Sequence, residues 1–190
     1  MTSPYTVPNL LTGLRIVLIP VIVGCFYLLH GWGDVVAGLL FALAGITDSL
    51  DGYIARRTGQ VSPLGAFLDP VADKLVVATA LVLIVSRNPI WYVTLTAMVI
   101  IGREIAISAL REWMAELGAR HKVAVSSLGK FKTIAQVVGL SMMLFYEDLL
   151  GLPIYWIGLV LTIIAAILTL WSMFLYLQAA WPDLSSRSQR

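Results

Sequence analysis

Four aspartates at helical spacing are the residues of this sequence best placed to do chemistry. Asp48 and Asp51 are three residues apart, and Asp69 and Asp73 are four apart. On helices these spacings put each pair on one face. The segment from Arg57 to Pro63 reads as a tight hairpin that brings the two faces together. Four carboxylates then converge at one site. At about 5 Å and an effective dielectric near 20, each like-charged pair costs roughly 3 kcal/mol. Such a cluster must be protonated, paired with bases or bound to cations. Arg56, Arg57 and Lys74 are near in sequence but too few to neutralise it. Divalent cations do so more directly, and an all-oxygen donor set without His or Cys suits Mg2+, Mn2+ or Ca2+. Two such ions would offset the four formal negative charges of the acids.

Small residues flank the acids. Gly52 sits one turn past Asp48, Ala55 one turn past Asp51, and Gly65 one turn before Asp69. Glycine inside a helix costs about 1 kcal/mol relative to alanine. These positions leave room for a flat or bulky group beside the backbone, with Arg56 as a fixed positive charge next to it. A nucleotide whose pyrophosphate rests on the ions fits that layout. Close helix packing is the competing reading of the glycines. A proton or cation pathway competes for the acids, because carboxylates inside a membrane mark such routes. Against it, no acidic residue continues from the cluster toward the other membrane face.

The elements that hold these residues are membrane helices. The 190-residue chain is 59% hydrophobic and 13% charged, about half the charge share of a soluble domain. Long apolar runs with nothing polar to cover them exclude a soluble globular fold. Six runs are marked: Leu10 to Leu29, Val35 to Ile54, Leu64 to Val85, Ile90 to Leu110, Val125 to Phe145 and Ile154 to Leu177. Each is about long enough to cross a hydrocarbon core of about 30 Å. The fourth continues amphipathically to about Leu117, and Lys130 and Lys132 interrupt the start of the fifth. Runs without strict alternation, in a medium that tolerates only helices or closed barrels, predict an all-α integral membrane protein.

Charge sets the orientation. Arg56, Arg57, Arg120, Lys122, Lys130, Lys132, Arg187 and Arg190 fall on one side, which is expected to be cytoplasmic. Arg87 stands on the other with His30, Asp34, Glu147 and Asp148. The N-terminus has no basic signal region, so the first run reads as a retained span. The one cysteine, Cys25, cannot form an internal disulfide or a CxxC metal site and reads as a small apolar residue. Trp91, Tyr92, Tyr155, Trp156 and Trp181 read as interfacial anchors. Residues 1–182 form a single membrane domain in this reading, and residues 183–190 a cytoplasmic tail.

In order, the motif is Asp48-x-x-Asp51-Gly52-x-x-Ala55-Arg56, eight residues, then Gly65-x-x-x-Asp69-x-x-x-Asp73. This resembles the complete motif of the CDP-alcohol phosphotransferase family, with no departure. The resemblance extends over nearly the whole chain. Pro8 to Arg15, Ala66 to Lys74, Arg103-Glu104-Ile105, Ser108 to Glu116, Val123 to Ser126 and Gly129 to Thr133 are similar to segments of the family's bacterial phosphatidylglycerophosphate-forming branch.

The resemblance implies six transmembrane helices, a homodimer, a site facing the cytoplasm of a bacterial inner membrane, and two Mg2+ or Mn2+ ions. It implies a transfer from CDP-diacylglycerol to sn-glycerol 3-phosphate, with no role for nucleic acid. Within it, Asp48, Asp51, Asp69 and Asp73 are metal ligands, and Asp73 also takes the proton of the acceptor hydroxyl. Gly52, Ala55, Arg56, Ser62 and Gly65 line the donor site, with Asn9 and Thr12 as further contacts. Ser62 before Pro63 equally reads as a helix N-cap. Arg103, Arg111, Lys130 and Lys132 are expected to hold the acceptor phosphate, for which planar guanidinium forks are suited. Ordinary positive-inside charge is the competing reading. Other transferases of the family, with inositol phosphate, serine or phosphatidylglycerol as acceptor, and a cation or proton transporter remain the alternatives.

Overall fold

The computed structural model describes residues 7–58, 63–116 and 127–187, with side chains placed for 9–50, 65, 67–114 and 131–178. Six helices run α1 Val7–Leu28, α2 Gly33–Thr58, α3 Pro63–Arg87, α4 Trp91–Glu116, α5 Ser127–Phe145 and α6 Ile154–Arg187. The expected all-α architecture and its six elements are present. Most ends fall within a few residues of the apolar runs, but α6 continues ten residues beyond Leu177. Polar residues can continue a helix outside lipid, so hydropathy marks only the part that must be apolar.

Among the described residues, α1, α2, α4 and α6 each hold a stretch long and apolar enough to cross a membrane. The other two helices carry charge where they would enter lipid. On α3, Asp69, Asp73 and Lys74 leave only Leu75 to Ser86 free of charge before Arg87, and the apolar part of α5 is Phe131–Phe145. The same residues that weaken these two spans are the ones proposed to do chemistry. Pro70 sits inside α3 between Asp69 and Asp73, and cannot return an N–H to the carbonyl one turn earlier.

The surface pattern is that of a bundle bathed in lipid. Leu39, Leu43, Val82, Met98, Ile164, Ile167 and Trp171 face outward. Thr12, Arg15, Arg103, Lys132, Gln136, Thr162 and Thr169 are buried. The apolar core joins Ile22, Phe41, Ile84, Ile100, Leu140, Leu144 and Leu159 from all six helices. Cys25 is a half-buried free thiol. Trp91 and Trp156 are exposed at helix starts, as anchors should be, but Tyr155 is only 6% exposed. Its hydroxyl accepts a hydrogen bond from Asn88 Nδ2 at 3.0 Å, so it ties α6 to the α3–α4 turn rather than serving as a free anchor.

Backbone contact between α5 and α6 requires glycine. A Cβ on Gly158 would lie 2.7 Å from both the Gly139 carbonyl oxygen and Met142 Cβ. A Cβ on Gly139 would lie 2.5 Å from Thr162 Oγ1. Small residues permit this approach where no hydrophobic force drives helices together in lipid. Gly158→Leu is therefore expected to separate α5 from α6 and to destabilise the protein by about 1–3 kcal/mol or more. Thermal unfolding in detergent measures this, and an unchanged melting temperature would show that the contact contributes nothing.

Candidate active site

The helix directions place the chemistry at one end of the bundle. The first half of α1, the last turns of α2 and the first turns of α3 meet there. Arg15 of α1 is buried to 1% exposure and reaches both acidic helices. Its Nη1 lies 2.7 Å from Asp48 Oδ1 on α2 and donates a hydrogen bond to Asp69 Oδ1 on α3 at 3.3 Å. A charge buried in lipid has to be paired, and here one guanidinium serves two carboxylates. Asp73, one turn beyond Asp69, lies within electrostatic range of Asp48, Asp69 and Arg15. Convergence of the two acidic faces is thus observed for Asp48, Asp69 and Asp73.

Arg15 was not among the residues expected at the cluster. The sequence offers Arg56, Arg57 and Lys74 as basic neighbours of the cluster, whereas the described base in contact with it comes from α1. A lone arginine within an apolar span was the available signal, because it demands an anion nearby.

A basic group adjoins the acids. Arg103 of α4 is 8% exposed and its Nη1 contacts Glu104 Oε1. Among the described residues, Arg103 Nε is a buried donor without a hydrogen-bond partner. Lys132 of α5 is 7% exposed and its Nζ donates to Ser172 Oγ of α6 at 3.5 Å. Lys132 also lies in electrostatic range of Arg103, Glu104 and Arg111. Glu104 acts on both Asp73 and Lys132, which links the acidic and basic groups electrostatically. Such an arrangement can hold two anionic molecules side by side, one by way of cations on the acids and one directly on the bases.

Comparison with known proteins bears on this geometry. A family model described as CDP-alcohol phosphatidyltransferase matches residues 5–177. The chain belongs to the CDP-alcohol phosphatidyltransferase family. Relatives in Salmonella choleraesuis strain SC-B67, Shigella flexneri and Escherichia coli strain K12 are each 51% identical over 180 residues. Each match covers 95% of this chain and 97% of the relative. All three relatives carry the name CDP-diacylglycerol–glycerol-3-phosphate 3-phosphatidyltransferase.

In this CDP-alcohol phosphatidyltransferase, several expected site residues can be placed. Thr12 is buried one turn before Arg15 on α1, and Asn9 is half-buried near the start of the same helix. Gly65 is half-buried in the first turn of α3. Arg111 is exposed two turns beyond Arg103 on α4. Asp51, Gly52, Ala55 and Arg56 belong to α2, and Lys130 to α5, but their side chains lie outside the described ones. Ser62 lies outside the described residues altogether.

The residues present suit a hard divalent ion by donor chemistry. Asp48 and Asp69 supply oxygens from two helices, and both are directed at one point that already takes a positive charge. Among the described residues, no three acids form a ready metal site. Asp51, one turn from Asp48 in the sequence, is the further acid of the motif.

Proposed function

We propose that this chain transfers the phosphatidyl group of CDP-diacylglycerol to sn-glycerol 3-phosphate, releasing CMP and forming phosphatidylglycerol phosphate. The observation that carries this reading is the side-by-side placement of an acidic cluster and a buried basic group at one end of a membrane bundle. Identity of 51% to relatives named for that activity supports it.

The acids Asp48, Asp51, Asp69 and Asp73 would hold Mg2+ or Mn2+, two ions per subunit by charge. When bound, divalent ions supply positive charge against the pyrophosphate and the oxygens exchanged at phosphorus. The donor lies with its diacylglycerol in the bilayer and its cytidine beside Gly52, Ala55, Arg56, Ser62 and Gly65, with Asn9 and Thr12 at its edge. Arg103, Arg111, Lys130 and Lys132 hold the acceptor phosphate. Arg103 is buried, and its Nε, without a hydrogen-bond partner among the described residues, is a donor that a phosphate oxygen could satisfy. Asp73 takes the proton of the acceptor hydroxyl, whose oxygen bonds to the phosphorus bearing diacylglycerol. The bond from that phosphorus to CMP breaks, and CMP leaves with the electron pair. Phosphoryl transfer of this kind is mostly positioning and charge stabilisation.

The protein works as a homodimer in the bacterial inner membrane, with this end facing the cytoplasm. Support for the orientation comes from the basic residues gathered at that end, including Arg56, Arg57, Lys130 and Lys132. Support for a lipid substrate comes from the position of the acids, with Asp48 at the end of the apolar stretch Gly33–Leu50 of α2 and Asp73 just before the uncharged stretch from Leu75 to Ser86 of α3.

Competition among acceptors tests the proposal. Purified protein with CDP-diacylglycerol and Mg2+ should release CMP rapidly with sn-glycerol 3-phosphate. Release should be far slower with inositol phosphate, serine or phosphatidylglycerol. Faster release with another acceptor would reassign the substrate, and none with any acceptor would remove the activity. Separately, Arg103→Gln and Arg111→Gln should each raise the KM for sn-glycerol 3-phosphate by about tenfold or more, the size of a charge-assisted hydrogen bond. The KM for CDP-diacylglycerol should hardly change. Equal weakening of both substrates would argue that these arginines serve the bundle rather than the acceptor.

A further inference from the structure

We infer that Arg15 is a built-in counter-cation for the acidic cluster, holding Asp48 and Asp69 together until a divalent ion displaces it. This rests on the reading that the aspartates bind such ions. A single nitrogen, Arg15 Nη1, stands 2.7 Å from Asp48 Oδ1 and 3.3 Å from Asp69 Oδ1. An Mg2+ ion needs oxygens at about 2.1 Å, and these two oxygens already share one guanidinium nitrogen as their cationic partner. The guanidinium and the ion therefore compete for one place, and like charges oppose their joint occupancy.

The fold explains why such a device is needed. α1 joins α2 and α3 at this end through Arg15, whose side chain is almost fully buried. Without it, Asp48 and Asp69 would face each other and Asp73 across the helix interface with no described base in contact. The bundle would then depend on the ion for its integrity. With Arg15 present, the ion-free protein stays assembled and the ion enters by exchange. That exchange weakens ion binding, so occupancy of the site becomes sensitive to ion concentration. A guanidinium on a flexible stem needs to move only a few ångströms, without any helix shifting.

Direct ion binding tests this, using Mn2+ followed by electron paramagnetic resonance on the full-length protein in detergent. Arg15→Gln should bind Mn2+ at least tenfold more tightly than the unaltered protein. Its melting temperature in chelator should fall, and saturating Mn2+ should raise it by more than in the unaltered protein. Arg15→Lys, which keeps the charge, should bind Mn2+ with an affinity between the two. Unchanged or weaker binding by Arg15→Gln would overturn the role, as would Arg15→Lys behaving like the glutamine variant. If Arg15→Gln does not fold, the unaltered protein still decides the matter. The side-chain nitrogen resonance of Arg15 must move when Mg2+ saturates the site, and a stationary resonance would overturn the proposal. No Mn2+ binding by the unaltered protein would instead remove the metal reading, and the exchange with it.

Discussion

Asp73→Asn is expected to reduce CMP release by at least about 10²–10⁴-fold, the usual worth of a positioned general base, while leaving the protein folded. Asparagine preserves the shape of the side chain and removes its ability to accept a proton. Its amide is also a poorer partner for a divalent ion than a carboxylate. Asp73 is suited to the role by position. It follows Asp69 by one helical turn and lies in electrostatic range of Asp48, Asp69 and Arg15 on the acidic side. On the other side it feels Glu104, which also acts on Lys132 of the basic group. Among the described aspartates it is therefore the one linked through Glu104 to the region assigned to the acceptor. The variant should elute and melt like the unaltered protein, since Asp73 is exposed and forms no described ion pair. Asp34→Asn is a control at the opposite end, where Asp34 pairs with Arg87 at 2.9 Å. That change should leave turnover intact even if it lowers stability slightly. Near-normal turnover in Asp73→Asn would leave the reaction without its assigned base.

Much of this arrangement was legible in the residues because membrane helices obey few rules. The i,i+3 and i,i+4 spacings of the aspartates, with a short connection between their helices, dictated that α2 and α3 would bring acids together. Apolar length located the spans, since backbone in lipid has nothing to bond but itself. It failed at the end of α6, where residues beyond Leu177 no longer need to be apolar for the helix to continue. Arg15 was harder to read. A buried arginine must find an anion, but the acids that Arg15 pairs with lie 33 and 54 residues away. Such a pairing depends on how α1 packs against α2 and α3, which no local pattern encodes. Tyr155 shows the same limit. Its position at a helix start suggested the membrane interface, but its partner Asn88 lies 67 residues away, and that contact buries it.

Removal of divalent ions should abolish turnover as completely as loss of Asp73, and the charge count explains why. The four aspartates carry four formal negative charges, and Arg15 offsets one. A CDP-diacylglycerol pyrophosphate brings two more. At about 5 Å and an effective dielectric near 20, each repulsive pair costs roughly 3 kcal/mol. The donor therefore cannot lie against Asp48 and Asp69 unless further positive charge enters. Arg56 of α2 adds a single positive charge, which leaves a deficit, and Arg103 and Lys132 are engaged with Glu104 on the acceptor side. Chelator-treated protein should show at least a hundredfold loss of CMP release, a lower bound equivalent to about 2.7 kcal/mol and smaller than a single such repulsion. Mg2+ or Mn2+ should restore the rate, and Na+ or K+ at equal ionic strength should not. The loss should appear first as weaker binding of CDP-diacylglycerol, with sn-glycerol 3-phosphate affected less. That order separates a charge requirement at the acids from a general collapse of the bundle, which would weaken both substrates together. Full turnover in excess chelator would mean that the acids tolerate the pyrophosphate by another route, such as protonation, and the assignment of Asp48, Asp51, Asp69 and Asp73 as ligands would fall.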